Sequence, residues 1–266
     1  MSPINQWAPS KFSDIFGRKN EPTVRRIQAL VKTRTPFAGA LIGPMGVCKT
    51  QLARLLAKGC VCSNPDLESG DPCNVCTPCL DADPAHSGAI HRMQFSWINA
   101  EIQTDRHRIS ELLTELQAGY CPPLLIVDEL QRFSETRFQE VFLNFITDLR
   151  EGVFACTVMT GSNLKGRSMT GVLPELLDRL KVFPLHRPAP DEVAGFLLQQ
   201  LNQWGIRSTP AVIADLVACS NGSLRNCLNT LEEARVGNDG LLDIPFIRDV
   251  LPLAAQEEVY RNPFND

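Results

Sequence analysis

Apolar positions three and four apart open the first regular segment of the chain. In "PTVRRIQALVK" (22–32), Val24, Ile27, Leu30 and Val31 share one face, which predicts a helix. The pattern then shifts to an unbroken apolar run, "FAGALIG" (37–43), which predicts a buried strand. A second helical pattern follows in "KTQLARLLAKG" (49–59), with Leu52, Leu55 and Leu56 on one side and Gly59 read as its stop. "IHRMQFSWINA" (90–100) predicts a second strand. "DRHRISELLTELQAG" (105–119) predicts an amphipathic helix through Ile109, Leu112, Leu113 and Leu116. "PLLIVDE" (123–129) is a short apolar run that ends in two acids. It is followed by a helix (135–152) and by the strand "VFACTVMTG" (153–161).

Strands that alternate with helices predict an α/β fold, a three-layer arrangement of a parallel sheet with helices on both faces. Near "LHRPAP" (185–190) the alternation stops, and only helical patterns follow: 191–205, 209–220, 223–236 and 244–259. The prolines at 188 and 190 therefore mark a boundary. The reading gives a first domain over 1–187 and a small all-helical domain over 188–266.

Composition adds bounds to this picture. The 266 residues are 44% apolar, enough for a core in each part. No apolar run reaches membrane-spanning length, and "MSPINQWAPSKF" has no secretory pattern, so a cytoplasmic protein is expected. A net charge of −4 argues against a wholly basic, nonspecific nucleic-acid coat. Basic residues gather at Arg18, Lys19, Arg25 and Arg26 and at Arg106 and Arg108; both groups read as solvated helix faces.

Candidate chemistry begins at "GPMGVCKT" (43–50), set between a predicted strand and a predicted helix. In such a loop the backbone N–H groups around Gly43, Gly46, Val47 and Cys48 face phosphate, aided by the positive end of the helix. Lys49 would reach the terminal phosphate oxygens of ATP, and the Thr50 hydroxyl would bind Mg²⁺. Cys48 stands where the pattern has its second glycine, a position suited to unusual backbone angles and close phosphate approach. The residue leaves two readings open, a tolerated turn residue or a weakened site. Asp128 and Glu129 emerge at the carboxyl end of a predicted central strand, where open α/β sheets hold ligands. Asp128 would hold Mg²⁺ through water, and Glu129 would polarise the attacking water.

Ten cysteines are many for a reducing compartment, and five lie between Cys60 and Cys79. Cys73, Cys76 and Cys79 follow a C-x-x-C-x-x-C spacing, with Cys60 and Cys62 upstream. Four thiolates form a closed, structural Zn²⁺ site. Spacing alone does not choose between Cys60 and Cys62. Cys121, Cys156, Cys219 and Cys227 read as core residues, and His86 and His91 are unneeded beside four thiols.

With these residues in place the chain resembles the AAA+ ATPases of the clamp-loader group, in particular the bacterial DNA polymerase III gamma/tau subunit and its delta-prime partner. "WAPSKFSDIFGR", "GVCKTQLARLLAKG" and "NGSLRNCLNTLEEA" carry the likeness, which runs over about residues 7–240. The resemblance implies that Cys62 is the fourth Zn²⁺ ligand and that the helical domain is a lid. It implies that Thr160, with Asn163 behind it, is the sensor 1 position. Arg179 becomes an arginine finger toward a neighbouring subunit, and Arg225 the lid contact to the γ-phosphate. It further implies ATP, Mg²⁺ and Zn²⁺ as cofactors, a homo- or hetero-oligomer with other AAA+ subunits, and DNA as a partner. Asp178 and Leu180 depart from the Ser-Arg-Cys of that group, and the residues after about 240 are not expected to form the collar domain of those proteins. Three functions remain open: an ATP-driven subunit acting on DNA, a non-catalytic delta-prime-like ring subunit, or an ATP-dependent regulator of a transposon or defence system.

Overall fold

The computed structural model describes residues 9–81, 96–99, 124–128, 130, 136–147, 154–160 and 172–251. Helix α1 (Glu21–Thr33) starts with proline in its first turn and ends where Arg34 turns left-handed, at φ 52°. Its buried face is Thr23, Val24, Ile27 and Val31; of the four predicted positions Leu30 is only half-buried, packed against the edge of the same cluster. Strand β1 (Phe37–Gly43) is buried along its whole length. Helix α2 (Lys49–Val61) follows, then the short α3 (Thr77–Asp81). The series continues with β2 (Ser96–Asn99), β3 (Leu124–Asp128), α4 (Thr136–Thr147) and β4 (Phe154–Thr160). It closes with α5 (Pro174–Arg179) and β5 (Lys181–Pro184).

The strands pair in the order β2-β3-β4-β1-β5, each neighbouring pair parallel. Alternation along β1 divides the packing between two clusters. Phe37 and Leu41 join Ile27 and Val31 of α1 and Leu52, Leu55 and Leu56 of α2. Ala38, Ala40 and Ile42 join Phe138 and Phe142 of α4 and Leu176 and Leu177 of α5.

Two features depart from the sequence reading. Gly59 does not stop α2, which runs on to Val61. A Cβ at Gly59 would lie 2.9 Å from Val31 Cγ1, so the glycine serves the close approach of α1 and α2. Helix α5 and strand β5 were absent from the predicted pattern, and β5 completes the sheet beside β1. The predicted helix over 105–119 lies outside the described residues.

Residues 190–251 form α6 (Pro190–Trp204), α7 (Pro210–Cys219), α8 (Leu224–Gly237) and α9 (Ile244–Val250). They share a core that includes Leu197, Trp204, Leu216, Leu228 and Leu231. Cys227 is fully buried within it, and Phe16 and Cys48 pack against it from outside. Three of the four basic residues near the N-terminus, Arg18, Arg25 and Arg26, are engaged within the chain, and Lys19 is exposed. Arg25 pairs with Glu21, and Arg26 sits 4.9 Å over the Phe183 ring. Arg18 pairs with Asp191 and Glu192 in the first turn of α6. No described helix is long and apolar enough to cross a membrane.

The Glu192 carboxylate accepts the backbone N–H groups of Arg18 and Ala189, and these donors hold it below its ordinary value of 4.5. A lowered folded-state value means stability that is present above pH 4.5 and lost as pH falls through the lowered value. Replacing Glu192 with Gln should flatten the acid limb of a melting-temperature profile below that pH. A profile unchanged by the substitution would show that the anchor is unimportant.

Candidate nucleotide site and metal centre

Register places the predicted site residues at one end of the sheet. Thr160, the last residue of β4, pairs with Gly43, the last of β1. Asp128, the last of β3, pairs with Val158, which in turn pairs with Leu41. The carboxyl ends of three strands thus converge where the loop 44–48 leaves β1. This is the side on which open parallel sheets bind ligands. Glu129 and Asn163 lie outside the described residues.

The loop is built by close contacts. A Cβ on Gly43 would collide with the Leu185 carbonyl, and one on Gly46 with the Ser223 hydroxyl. Gly46 also has φ +78°, which glycine adopts without strain. Val47 is buried, and Thr50 stands half-buried in the first turn of α2. Lys49 is itself buried, and its ammonium donates to the Gly43 and Pro44 carbonyls at 2.9 and 2.6 Å. A cation, the open N–H groups of a 13-residue helix and a cramped glycine turn therefore meet at one point, the arrangement that attracts phosphate.

Cys48 has φ 64° and ψ 22°, in the left-handed region. The missing glycine is replaced without a change to a right-handed backbone. That conformation costs an L-residue roughly 1–2 kcal/mol. The Cys48 side chain packs on both the sheet cluster and the helical cluster. Burial pushes its thiol up to about 12, against the opposing charges of Arg225 and Lys49. At a right-handed position alanine is more stable than glycine; at Cys48 the order should invert. Cys48→Gly should exceed Cys48→Ala in unfolding free energy by about 1 kcal/mol in urea titrations. Equal stability, or alanine ahead, would mean the left-handed turn is wrong.

Arg225 lies in the first turn of α8, exposed, with its charge felt at Cys48. Ser223, which the sequence reading passed over, caps α8 by accepting the Asn226 N–H while resting against Gly46. Its signal was available: a serine just before an apolar helical pattern is a favoured N-cap. Arg179 is exposed at the last residue of α5 and does not join this group.

The second centre is the cysteine cluster. The thiols of Cys62, Cys73, Cys76 and Cys79 lie within 4.8 Å of one another. The sulfur of Cys62 accepts the N–H groups of Asn64 and Cys73, and that of Cys73 accepts the Cys76 N–H. Backbone donors of this kind favour thiolates, and the N–H groups of Val75 and Cys76 hold the Cys73 thiol below its ordinary value. The donor set is soft, closed and tetracoordinate, suited to a structural Zn²⁺. Cys60 is outside it, buried in α2 among the apolar residues of the sheet cluster. The guanidinium of Arg34 donates to the carbonyls of Cys60 and Cys62, so the left-handed end of α1 braces the start of the cysteine loop.

Comparison with known proteins agrees with this architecture. No protein-family model matches the chain. It is 24% identical over 258 residues to DNA polymerase III subunit gamma of Buchnera aphidicola, covering 95% of this chain and 66% of that protein. It is 26% identical over 241 residues to subunit tau of Escherichia coli, covering 88% of this chain and 34% of that one. The chain therefore spans less than two thirds of these relatives. Among solved structures, the Thermotoga maritima RuvB Holliday junction branch migration motor superposes with a TM-score of 0.58 at 14% identity, over 94% of this chain and 72% of that one. The chain has the AAA+ ATPase fold, shared with RuvB, and is distantly related to the clamp-loader gamma/tau subunits.

Proposed function

We propose that the chain is a AAA+ ATPase subunit of clamp-loader type, which binds ATP–Mg²⁺ at subunit interfaces and drives assembly or remodelling of a protein complex on DNA. The observation that carries this reading is the contact of the phosphate loop with the helical unit, where Gly46 abuts Ser223 and Cys48 packs on the helical core, with Lys49 in the first turn of α2 and Arg225 in the first turn of α8. One cation comes from the sheet-bound helix and the other from the helical unit, and a triphosphate between them would draw the two parts together. In this reading Thr50 and Asp128 hold Mg²⁺, Glu129 activates water, and Thr160 reads the γ-phosphate. Arg225 serves as the contact from a helical lid over 188–266 that closes on the domain over 1–187. The exposed position of Arg179 suits a residue offered to the nucleotide of a neighbouring subunit. The DNA link leans on the relatives, named as DNA polymerase III subunits, and on RuvB, named as a Holliday junction motor.

A second reading, a non-catalytic ring subunit, is favoured by the strained backbone of Cys48. ATP turnover of the purified chain, at concentrations that favour self-association and with and without duplex DNA, separates the two. Turnover that disappears in Glu129→Gln supports the enzyme. Nucleotide binding without turnover in the parent supports the ring subunit.

A further inference from the structure

We infer that the N-terminal segment 9–20 ties the cysteine cluster to the seating of the helical unit, so that metal loading at one end stiffens α6 at the other. The inference goes beyond the nucleotide reading and does not depend on it. It rests on the cluster holding a metal.

One end of the segment is fastened to the cysteine loop. Asn74, left-handed at φ 60° between the ligands Cys73 and Cys76, donates to the Ser10 carbonyl at 2.9 Å. Asp71, two residues before Cys73, accepts the Phe12 N–H at 2.7 Å. Asn74 lies inside the Cys73–Cys76 knuckle, while Asp71 is held by the adjoining turn, where its carbonyl accepts the Asp66 N–H and its N–H donates to the Ser69 hydroxyl. The middle is fixed by Phe12 and Ile15, buried in the sheet cluster beneath α1 and α2.

The other end is fastened to the helical unit. Phe16 stacks on Phe196 of α6, ring centroids 4.9 Å apart and planes 20° from parallel. The Arg18 N–H and guanidinium both donate to Glu192, and the guanidinium also pairs with Asp191. Asn20, buried, donates to the His186 carbonyl and accepts the His186 N–H, which fastens the segment to the connection that leads from β5 into α6. Only Phe16 and Cys48 reach the helical core from outside the unit among the described residues. One of these two apolar contacts therefore belongs to a segment whose start is fastened to the cysteine loop. A cooperative unit that spans the two should open as one.

Amide hydrogen exchange of the full chain, with metal content measured in parallel, tests this. Removing the metal should speed exchange at least about tenfold in 10–20 and in the first two turns of α6, while α7 and α9 change little. Asp71→Ala and Asn74→Ala, checked to retain one metal per chain, should speed exchange at the same two places. These variants decide the question even where the stripped protein unfolds. Faster exchange confined to 62–81, or metal-loaded variants that behave as the parent, would overturn the coupling. A parent that takes up no metal would overturn its premise.

Discussion

Stripping the metal from Cys62, Cys73, Cys76 and Cys79 is expected to lower the melting temperature by about 10 °C, with one Zn²⁺ per chain restoring it. The cysteine loop has little apolar core of its own: Leu67 and Val75 are 87% and 77% exposed. What holds it are hydrogen bonds at its rim and four sulfurs converging at its centre. Without a cation those sulfurs cannot all ionise side by side, so the loop loses its centre. A metal present at a thousand times its dissociation constant contributes ~4 kcal/mol to the folded state. For a chain of this size each kcal/mol corresponds to roughly 2–4 °C. Cys62→Ser should lose the metal, while Cys60→Ala should keep it despite some loss of stability. A chelator that leaves both metal content and melting unchanged, or the opposite ranking of the two variants, would reject the assignment.

The choice between Cys60 and Cys62 shows where sequence reading needed help. Spacing left both open, and the family resemblance favoured Cys62. The structure supplies the physical reason: α2 continues through Val61, so Cys60 faces the apolar cluster and Cys62 is the first residue free to turn toward the other thiols. The misreading of Gly59 as a stop has the same origin. Glycine marks helix ends, but here it marks a contact with Val31 that no local pattern encodes.

Periodicity made α1, β1, α2 and the helices after residue 190 legible, because each buries a continuous face. It failed for α5 and β5, which are short and gain their burial from neighbours far away in sequence. The phosphate loop was legible as a motif, and its central question was not. Whether Cys48 adopts the backbone of glycine depends on the turn imposed by β1, α2 and Ser223 together. The fastenings of segment 9–20 are the least legible of all. Asp71, Asn74, Arg18 and Asn20 are ordinary surface residue types; three of them pair with a distant backbone group, and Arg18 with the carboxylates of Glu192 and Asp191.

On the proposed reading, Lys49→Met should weaken binding of ATP–Mg²⁺ by about 100-fold or more. The Lys49 side-chain nitrogen donates to the Gly43 and Pro44 carbonyls, so it is oriented and held at the mouth of α2 before any phosphate arrives. A triphosphate would exchange those neutral acceptors for anionic oxygens. Charge-assisted hydrogen bonds contribute ~1.5–3 kcal/mol each, so two of them account for a loss of roughly two to four orders of magnitude. Methionine keeps the buried stem and leaves the Gly43 and Pro44 carbonyls without this donor, a structural cost of about 1–3 kcal/mol each. Arg225→Ala, an exposed single contact from the helical unit, should cost less, about tenfold. Calorimetric titration with ATP–Mg²⁺ would measure both, and nucleotide-dependent melting shifts would check that the variants are folded. A folded Lys49→Met that binds like the parent would remove the phosphate loop from the site. A larger loss from Arg225→Ala than from Lys49→Met would move the principal phosphate contact to the helical unit.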